Sequence, residues 1–293
     1  MALALLGTQY VLGAVLIACI GLLLVRRFVP PDKVRPHHDV AGFMIAVIGV
    51  LYTVLLAFVV IVAWEQYEGA EAHAGQEAAS LLAVYRVARV LPAPERLQLR
   101  QKLREYNESV IRDEWPAMAD GHMSQKTQTA SDMVWETVLT RPPVGALENS
   151  LLPDLVSDLN DMSKARNTRL QDSHNGVPVL MWIVLLFGGF ATVAFTYFFD
   201  MENRISQMLM TILISAMIGL VLFLISAVDQ PYSGDFKVRP EAMESAQKEM
   251  DQIEVEDRET SALRHAQPGK PGPPHTQPRA ALRYRVIVPA RPA

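Results

Sequence analysis

Cysteine is almost absent from this chain: Cys19 stands alone among 293 residues. One thiol closes no disulfide framework and builds no cysteine-based metal site. A dominant charge is missing too, since 27 Lys and Arg against 31 Asp and Glu leave a formal net charge of −4. Without a basic excess there is no electrostatic footprint for nucleic acid, which is excluded as a partner. Catalytic signatures are lacking as well. There is no Gly-rich phosphate loop, no His-Glu-x-x-His pattern and no nucleophile elbow, so no catalytic, metal or cofactor residue is assigned and the chain is not expected to be an enzyme. Charge is also absent from four long apolar runs, Leu3 to Val25, Val40 to Ala63, Val179 to Phe199 and Met208 to Val228. Pumps and intramembrane enzymes usually carry ionisable groups inside their spans, and these runs offer none.

What is present is enough apolar length. A helix needs about 20 residues to cross a hydrocarbon core of roughly 30 Å, and a buried helix of a soluble protein rarely stays apolar all round for so long. The four runs are therefore predicted to be transmembrane helices, with membrane lipid as their surroundings. In the first run Leu16-Ile17-Ala18-Cys19 resembles a lipoprotein cleavage site. No Lys or Arg precedes it, and Arg26-Arg27 follow, which is the wrong polarity for a cleaved signal. The run is expected to be retained. The loop from 26 to 39 carries Arg26, Arg27, Lys33 and Arg35, a density typical of cytoplasmic loops. Taken alone it places the following domain outside the cytoplasm, whereas Lys164, Arg166, Arg169, Lys237, Arg239 and Lys248 count the other way. The balance leans slightly to an extracytoplasmic domain.

The organisation reads as a transmembrane hairpin over 1–64, a helical soluble domain over 65–178, a second hairpin over 179–228, an exit segment with a charged helix over 229–256 and a disordered tail over 257–293. In the polar domain Ala78, Leu81, Leu82, Tyr85, Ala88 and Leu91 continue the second span as one apolar stripe. Pro92 and Pro94 end it, and Pro94 suits the first turn of a new helix bearing Leu99, Leu103, Tyr106 and Val110. Weaker helical signals follow over 131–139, and Leu152, Leu155, Leu159 and Met162 mark a further helix. Strand signals are few. The fold class expected is an all-α membrane protein with four transmembrane helices and an inserted helical soluble domain. From His265 onward Pro, Gly, Gln and Arg show no periodic apolar face, a composition that cannot offset the entropy of ordering.

Two blocks carry a family resemblance. The first runs through Val54-Leu55-Leu56-Ala57-Phe58, Trp64-Glu65, Glu77-Ala78, Arg86, Leu91-Pro92, Arg96, Leu99-Arg100, Tyr106 and Glu114-Trp115. The second is Val228-Asp229-Gln230-Pro231-Tyr232-Ser233-Gly234-Asp235-Phe236 with Arg239-Pro240-Glu241. In order and spacing around four spans they resemble the bacterial bestrophin-like family, which is distantly similar to bestrophin ion channels. The resemblance implies a bestrophin-like fold in a bacterial inner membrane, assembled as a homo-oligomer, a pentamer by analogy, with the second span lining a central pore. It also implies a cytoplasmic large domain, opposite to the reading of the first loop.

Within the second span Gly42, Ala46, Gly49, Thr53 and Ala57 put small side chains on one face, suited to close helix packing or to a pore lining. Leu55, Phe58 and Val62 are offset from that face and would form a constriction. Glu65, Glu68 and Glu71 follow at three-residue steps, either as a solvated acidic face or, in a ring, as a mouth favouring an inorganic cation. His73 and Glu77 stand four apart, close enough to pair, but two ligands make no metal site. Thr211, Ser215 and Gly219 form a second small stripe, expected to pack. The function implied is a homo-oligomeric, cation-preferring ion channel. The competing reading is a non-conducting scaffold or sensor that binds a partner through its soluble helices.

Overall fold

A computed structural model of the chain describes residues 2–28, 38–140, 146–197, 204–234 and 236–266. Among these residues the regular structure is entirely helical. The order is α1 (Ala2–Phe28), α2 (His38–Val87), a 3-10 turn (Ala88–Val90), α3 (Ala93–Ser109), a π turn (Val110–Glu114), α4 (Trp115–Ala119), α5 (Gln125–Leu139), α6 (Ala146–Asp172), α7 (Val179–Thr196), α8 (Arg204–Val228) and α9 (Glu241–Ala266). Four helices, α1, α2, α7 and α8, contain stretches long and apolar enough to cross a membrane. The chain is a membrane protein.

Lipid is as apolar as Leu, so close packing and hydrogen bonds must hold these spans together. Both are visible. Thr211, Ser215 and Gly219 are buried on α8, and a Cβ at Gly219 would stand 2.9 Å from the Ala14 side chain and 3.1 Å from the Tyr10 carbonyl of α1. The stripe therefore packs, as its spacing suggested. Tyr197 Oη donates to the Ala18 carbonyl at 2.8 Å, tying α7 to α1, and Tyr52 Oη donates to the Leu185 carbonyl at 3.0 Å, tying α2 to α7. Tyr52 lies against Gly188 and Gly189, where any side chain would collide with its ring. Val59 and Ala63 of α2 meet Leu185 of α7 and Leu222, Ile225 and Val228 of α8 in one buried cluster.

Helix α2 has 50 residues, about 75 Å at 1.5 Å per residue, and runs unbroken from the apolar region into the polar domain. Its buried side continues there as Ala70, Ala74, Ala78, Leu81 and Tyr85, and the core of the domain also takes in Leu155, Leu159 and Met162 of α6 and Leu99, Leu103 and Tyr106 of α3. Pro94 stands in the first turn of α3, where a missing N–H costs nothing. The helical signal expected over 131–139 begins earlier, because Ser124 caps α5 by accepting from the Thr127 N–H. Gly121 turns the chain before that cap with a φ of 71°.

Two further differences from the sequence reading have local causes. Just before Pro116 the helix widens into the π turn, since a proline ring cannot supply an N–H to the preceding turn. The charged helix expected to stop at Glu256 continues to Ala266, with Thr260 Oγ1 donating to the Glu256 carbonyl. The tail is thus helical over 257–266, and the disorder expected beyond it lies outside the described residues.

Candidate functional site

A face of α2 that adjoins its buried side is open along the apolar region and past it. Ala46, Thr53 and Ala57 are exposed, Gly49 is half-buried, and a Cβ at Gly49 would meet no atom within 4 Å. Thr53 turns its hydroxyl inward, donating to the Gly49 carbonyl at 2.8 Å. Gly42 belongs to α2, and its surroundings lie outside the described residues. Of the three residues expected to narrow a pore, Phe58 is 64% exposed, Val62 is half-buried, and Leu55 packs against the interior cluster. The small residues thus share an unoccupied face, while Leu55 is occupied with its own protomer.

Glu65, Glu68 and Glu71 are all exposed on the continuation of α2. Glu68 accepts from Trp64 Nε1 at 2.7 Å. Glu71 borders a cavity of about 260 Å³ whose other charged groups are Lys237, Arg239 and Glu241. That mixture is felt by Tyr67 in the same wall: burial raises its pKa, Glu71 adds to the rise, Arg239 opposes it and Glu241 adds again. The acidic row is therefore undiluted at Glu65 and Glu68 and balanced by basic side chains at Glu71.

His73 and Glu77 do not pair. His73 Nδ1 is 2.7 Å from Asp172 Oδ2, whereas Glu77 is fully buried and turned to other partners. The interior there holds an ionic network. Arg169 donates from Nε to Glu77 Oε2 at 2.6 Å and from Nη2 to Glu114 Oε2 at 2.6 Å. Arg166 donates to both oxygens of Glu114 at 2.6 and 3.2 Å and to Gln128 at 2.7 Å. Tyr106 Oη donates to Glu77 at 2.7 Å, and the Arg169 guanidinium lies 4.9 Å from the Trp115 ring. Burial alone would lower the pKa of Arg169, but Glu77 and Glu114 outweigh it and hold the guanidinium more firmly protonated. Burial raises the Tyr106 pKa, with Glu77 adding to it.

This network was hidden from sequence reasoning. Arg166 and Arg169 read as membrane-flanking charge, and Glu114 as one residue of the family resemblance. The π turn rotates Glu114 inward, and Pro116 by itself, a residue common in the first turn of ordinary helices, does not announce such a turn. A partial signal existed in α6, where the three-residue step from Arg166 to Arg169 puts both on one helix face. Around the network the exit segment closes the domain. Trp115 Nε1 donates to the Val238 carbonyl at 3.1 Å, and Tyr232 Oη donates to the Ala70 carbonyl of α2 at 2.8 Å. Trp115 is thus a core residue. Other charges of these helices divide: Arg112 and Glu108 pair on the surface, whereas Arg100 is buried over the Tyr85 ring at 4.7 Å.

The chain matches the model of the Bestrophin-like domain over residues 12–243. No curated protein matches it. Among solved structures it resembles a leucine-to-threonine variant of a bacterial bestrophin homologue from Klebsiella pneumoniae, with a TM-score of 0.62 at 11% identity, covering 83% of this chain and 97% of the other. An isoleucine-to-threonine variant of that homologue gives 0.64 at 13% identity over 83% and 98%. A third structure, phased by zinc anomalous scattering, gives 0.61 at 11% identity over 83% and 96%. The four spans, the long second helix and the exit segment that seals the polar domain are those of one fold, and the chain belongs to the Bestrophin-like family.

Proposed function

We propose that the protein is a homo-oligomeric ion channel of a bacterial inner membrane, with α2 facing the axis of a ring that is pentameric by analogy with bestrophins. The observation that carries this is the open face of α2, where Ala46, Thr53 and Ala57 stay exposed in the protomer. The four apolar runs carry no Lys, Arg, His, Asp or Glu, so a single protomer offers no hydrated path. Conduction requires a pore shared by several copies, and small side chains at its wall leave room for an ion. Phe58, exposed on α2, would narrow the pore and gate it by dewetting, with the half-buried Val62 behind it, whereas Leu55 is held against the core of its own protomer and takes no part. Glu65 and Glu68 would concentrate cations at the mouth, with Glu71 contributing less beside Lys237 and Arg239. The polar domain is assigned to the extracytoplasmic side, following the basic loop before α2.

Native mass spectrometry in mild detergent tests the ring, and a monomer or dimer would end the model. Reversal potentials in planar bilayers test selectivity: replacing Glu65, Glu68 and Glu71 together by Gln is expected to reduce cation preference. An unchanged potential removes the selectivity claim and leaves the channel. Absence of current above a control bilayer would favour the non-conducting scaffold instead. An impermeant thiol reagent applied to Met123→Cys, an exposed position beside the cap of α5, decides the side in whole cells.

A further inference from the structure

A second cavity, of about 400 Å³, lies where the start of α1 meets the end of α8 and the exit segment, and the proposed pore makes no use of it. Three of its lining side chains are aromatic, Tyr10, Phe223 and Phe236. The Tyr10 and Phe223 ring centroids are 5.9 Å apart and tilted by 55°, so the two rings present differently directed faces. Phe236 is fixed from behind by stacking on Tyr67 of α2 at 5.0 Å. Among the described residues the single charged side chain in the lining is Asp229, and no Lys or Arg accompanies it. Its carboxylate is positioned by backbone instead, with Oδ1 accepting from the Val177 N–H. Gly176 makes that approach possible, because a Cβ there would fall 3.0 Å from Oδ1 and 3.2 Å from the Asp229 carbonyl. Further oxygens come from Gln230 and from the hydroxyls of Tyr10 and Ser226, which share a hydrogen bond of 2.9 Å.

We propose that this cavity binds an organic ammonium group, of the ethanolamine or choline type, between its aromatic side chains and the Asp229 carboxylate. Aromatic faces attract cations that keep little hydration, and quaternary and alkyl ammonium groups are the ligands such cages suit. Calcium is held by hard oxygens, usually several carboxylates among them, and among the described residues this lining offers one carboxylate with neutral oxygens around it, a set better suited to a single weakly hydrated organic cation. The volume falls within the usual range of small-molecule sites, roughly 300–1,000 Å³. Asp229 directly follows the last residue of α8, so the cavity lies at the end of that span, where the apolar region gives way to headgroups. The ammonium can therefore arrive as a phospholipid headgroup or as a free amine. Because Phe236 also borders the cavity holding Glu71, an occupant would press on the stretch of α2 that carries the acidic row.

Titration calorimetry on the delipidated full chain, with choline, ethanolamine and 3,3-dimethyl-1-butanol, the uncharged isostere of choline, tests the proposal. Saturable binding of at least one amine is expected, with the neutral alcohol at least about tenfold weaker, as loss of one well-placed charge contact implies. Asp229→Asn keeps an oxygen for the Val177 N–H and removes the charge, and is expected to weaken amine binding about tenfold or more. Phe223→Leu should weaken it by roughly threefold, the size of one exposed cation–π contact. In parallel, the protein is taken from nanodiscs of phosphatidylethanolamine or phosphatidylglycerol and its retained lipid is weighed by native mass spectrometry. Retention of the ethanolamine lipid that is lost in Asp229→Asn assigns the headgroup as the source, while amine binding without such retention assigns a free amine. Equal binding of the neutral isostere, unchanged affinity in Asp229→Asn, or neither amine binding nor selective retention overturns the proposal. If Asp229→Asn does not fold, the isostere comparison on the unmodified chain decides. None of these readouts depends on conduction, so a protein that passes no current can still satisfy them.

Discussion

Replacing Arg169 by Met removes the centre of the buried network and leaves its two carboxylates in different positions. Glu114 keeps Arg166, which reaches both of its oxygens. Glu77 keeps only the Tyr106 hydroxyl, a neutral donor, and its side chain is 0% exposed. One buried carboxylate is thus orphaned rather than two, and breaking a buried pair in this way costs about 3–5 kcal/mol. Arg169→Lys should also be costly, because an ammonium cannot span Glu77, Glu114 and the Met118 sulfur as the guanidinium fork does. Adding Glu77→Gln to Arg169→Met removes the stranded charge, so the double variant should be more stable than the sum of the two single losses by about 1–3 kcal/mol. Urea unfolding in mild detergent, followed by near-ultraviolet circular dichroism, reads the loss where it occurs, since Arg169 stacks on Trp115. A cost below about 1 kcal/mol for Arg169→Met, the level of an exposed pair, would refute the reasoning. So would strict additivity in the double variant.

Tyr106→Phe deletes a donor to a buried carboxylate and is expected to cost about 1.5–3 kcal/mol in the same unfolding experiment. Burial, then Glu77, raises the Tyr106 pKa, and burial raises that of Tyr232. Unfolded tyrosines lose their protons near pH 10 while these two retain theirs. Their contribution is therefore complete below about pH 10 and lost as the pH climbs beyond it. Urea midpoints between pH 8 and 11 should show that fall, less steeply in Tyr106→Phe. Gly219→Leu would drive a side chain into Ala14 and the Tyr10 carbonyl and should cost about 1–3 kcal/mol. Gly13→Ala, where a Cβ meets nothing within 4 Å, should stay within about 0.5 kcal/mol, and thermal midpoints in detergent compare the two. Asp172→Asn breaks the pair with His73, whose side chain is 35% exposed. It is expected to cost less than about 1 kcal/mol by chemical unfolding.

The spans were legible because hydrophobic length is a one-dimensional property: an uncharged run of the right size has few alternatives in a membrane. The extension of α2 was legible for a related reason, since Ala78, Leu81, Leu82 and Tyr85 repeat at helical spacing and need no knowledge of what they touch. Stripes of small residues were only half legible. The sequence marks Thr211, Ser215 and Gly219 just as it marks Ala46, Thr53 and Ala57, and only the arrangement of the helices buries the first set against α1 and leaves the second open. The ionic network was barely legible, through the shared face of Arg166 and Arg169 alone. Glu77, Glu114 and Arg169 are separated by long stretches of chain, and Glu114 points inward because the helix widens ahead of Pro116. The aromatic cavity has the same origin, since Tyr10 and Asp229 meet only when α1 and α8 lie side by side. Local pattern determined which segments are helices and which of them enter the membrane. Which face of each helix is filled, which charges are buried, and which residues share a cavity depend on contacts between distant segments, and the tertiary structure alone decided them.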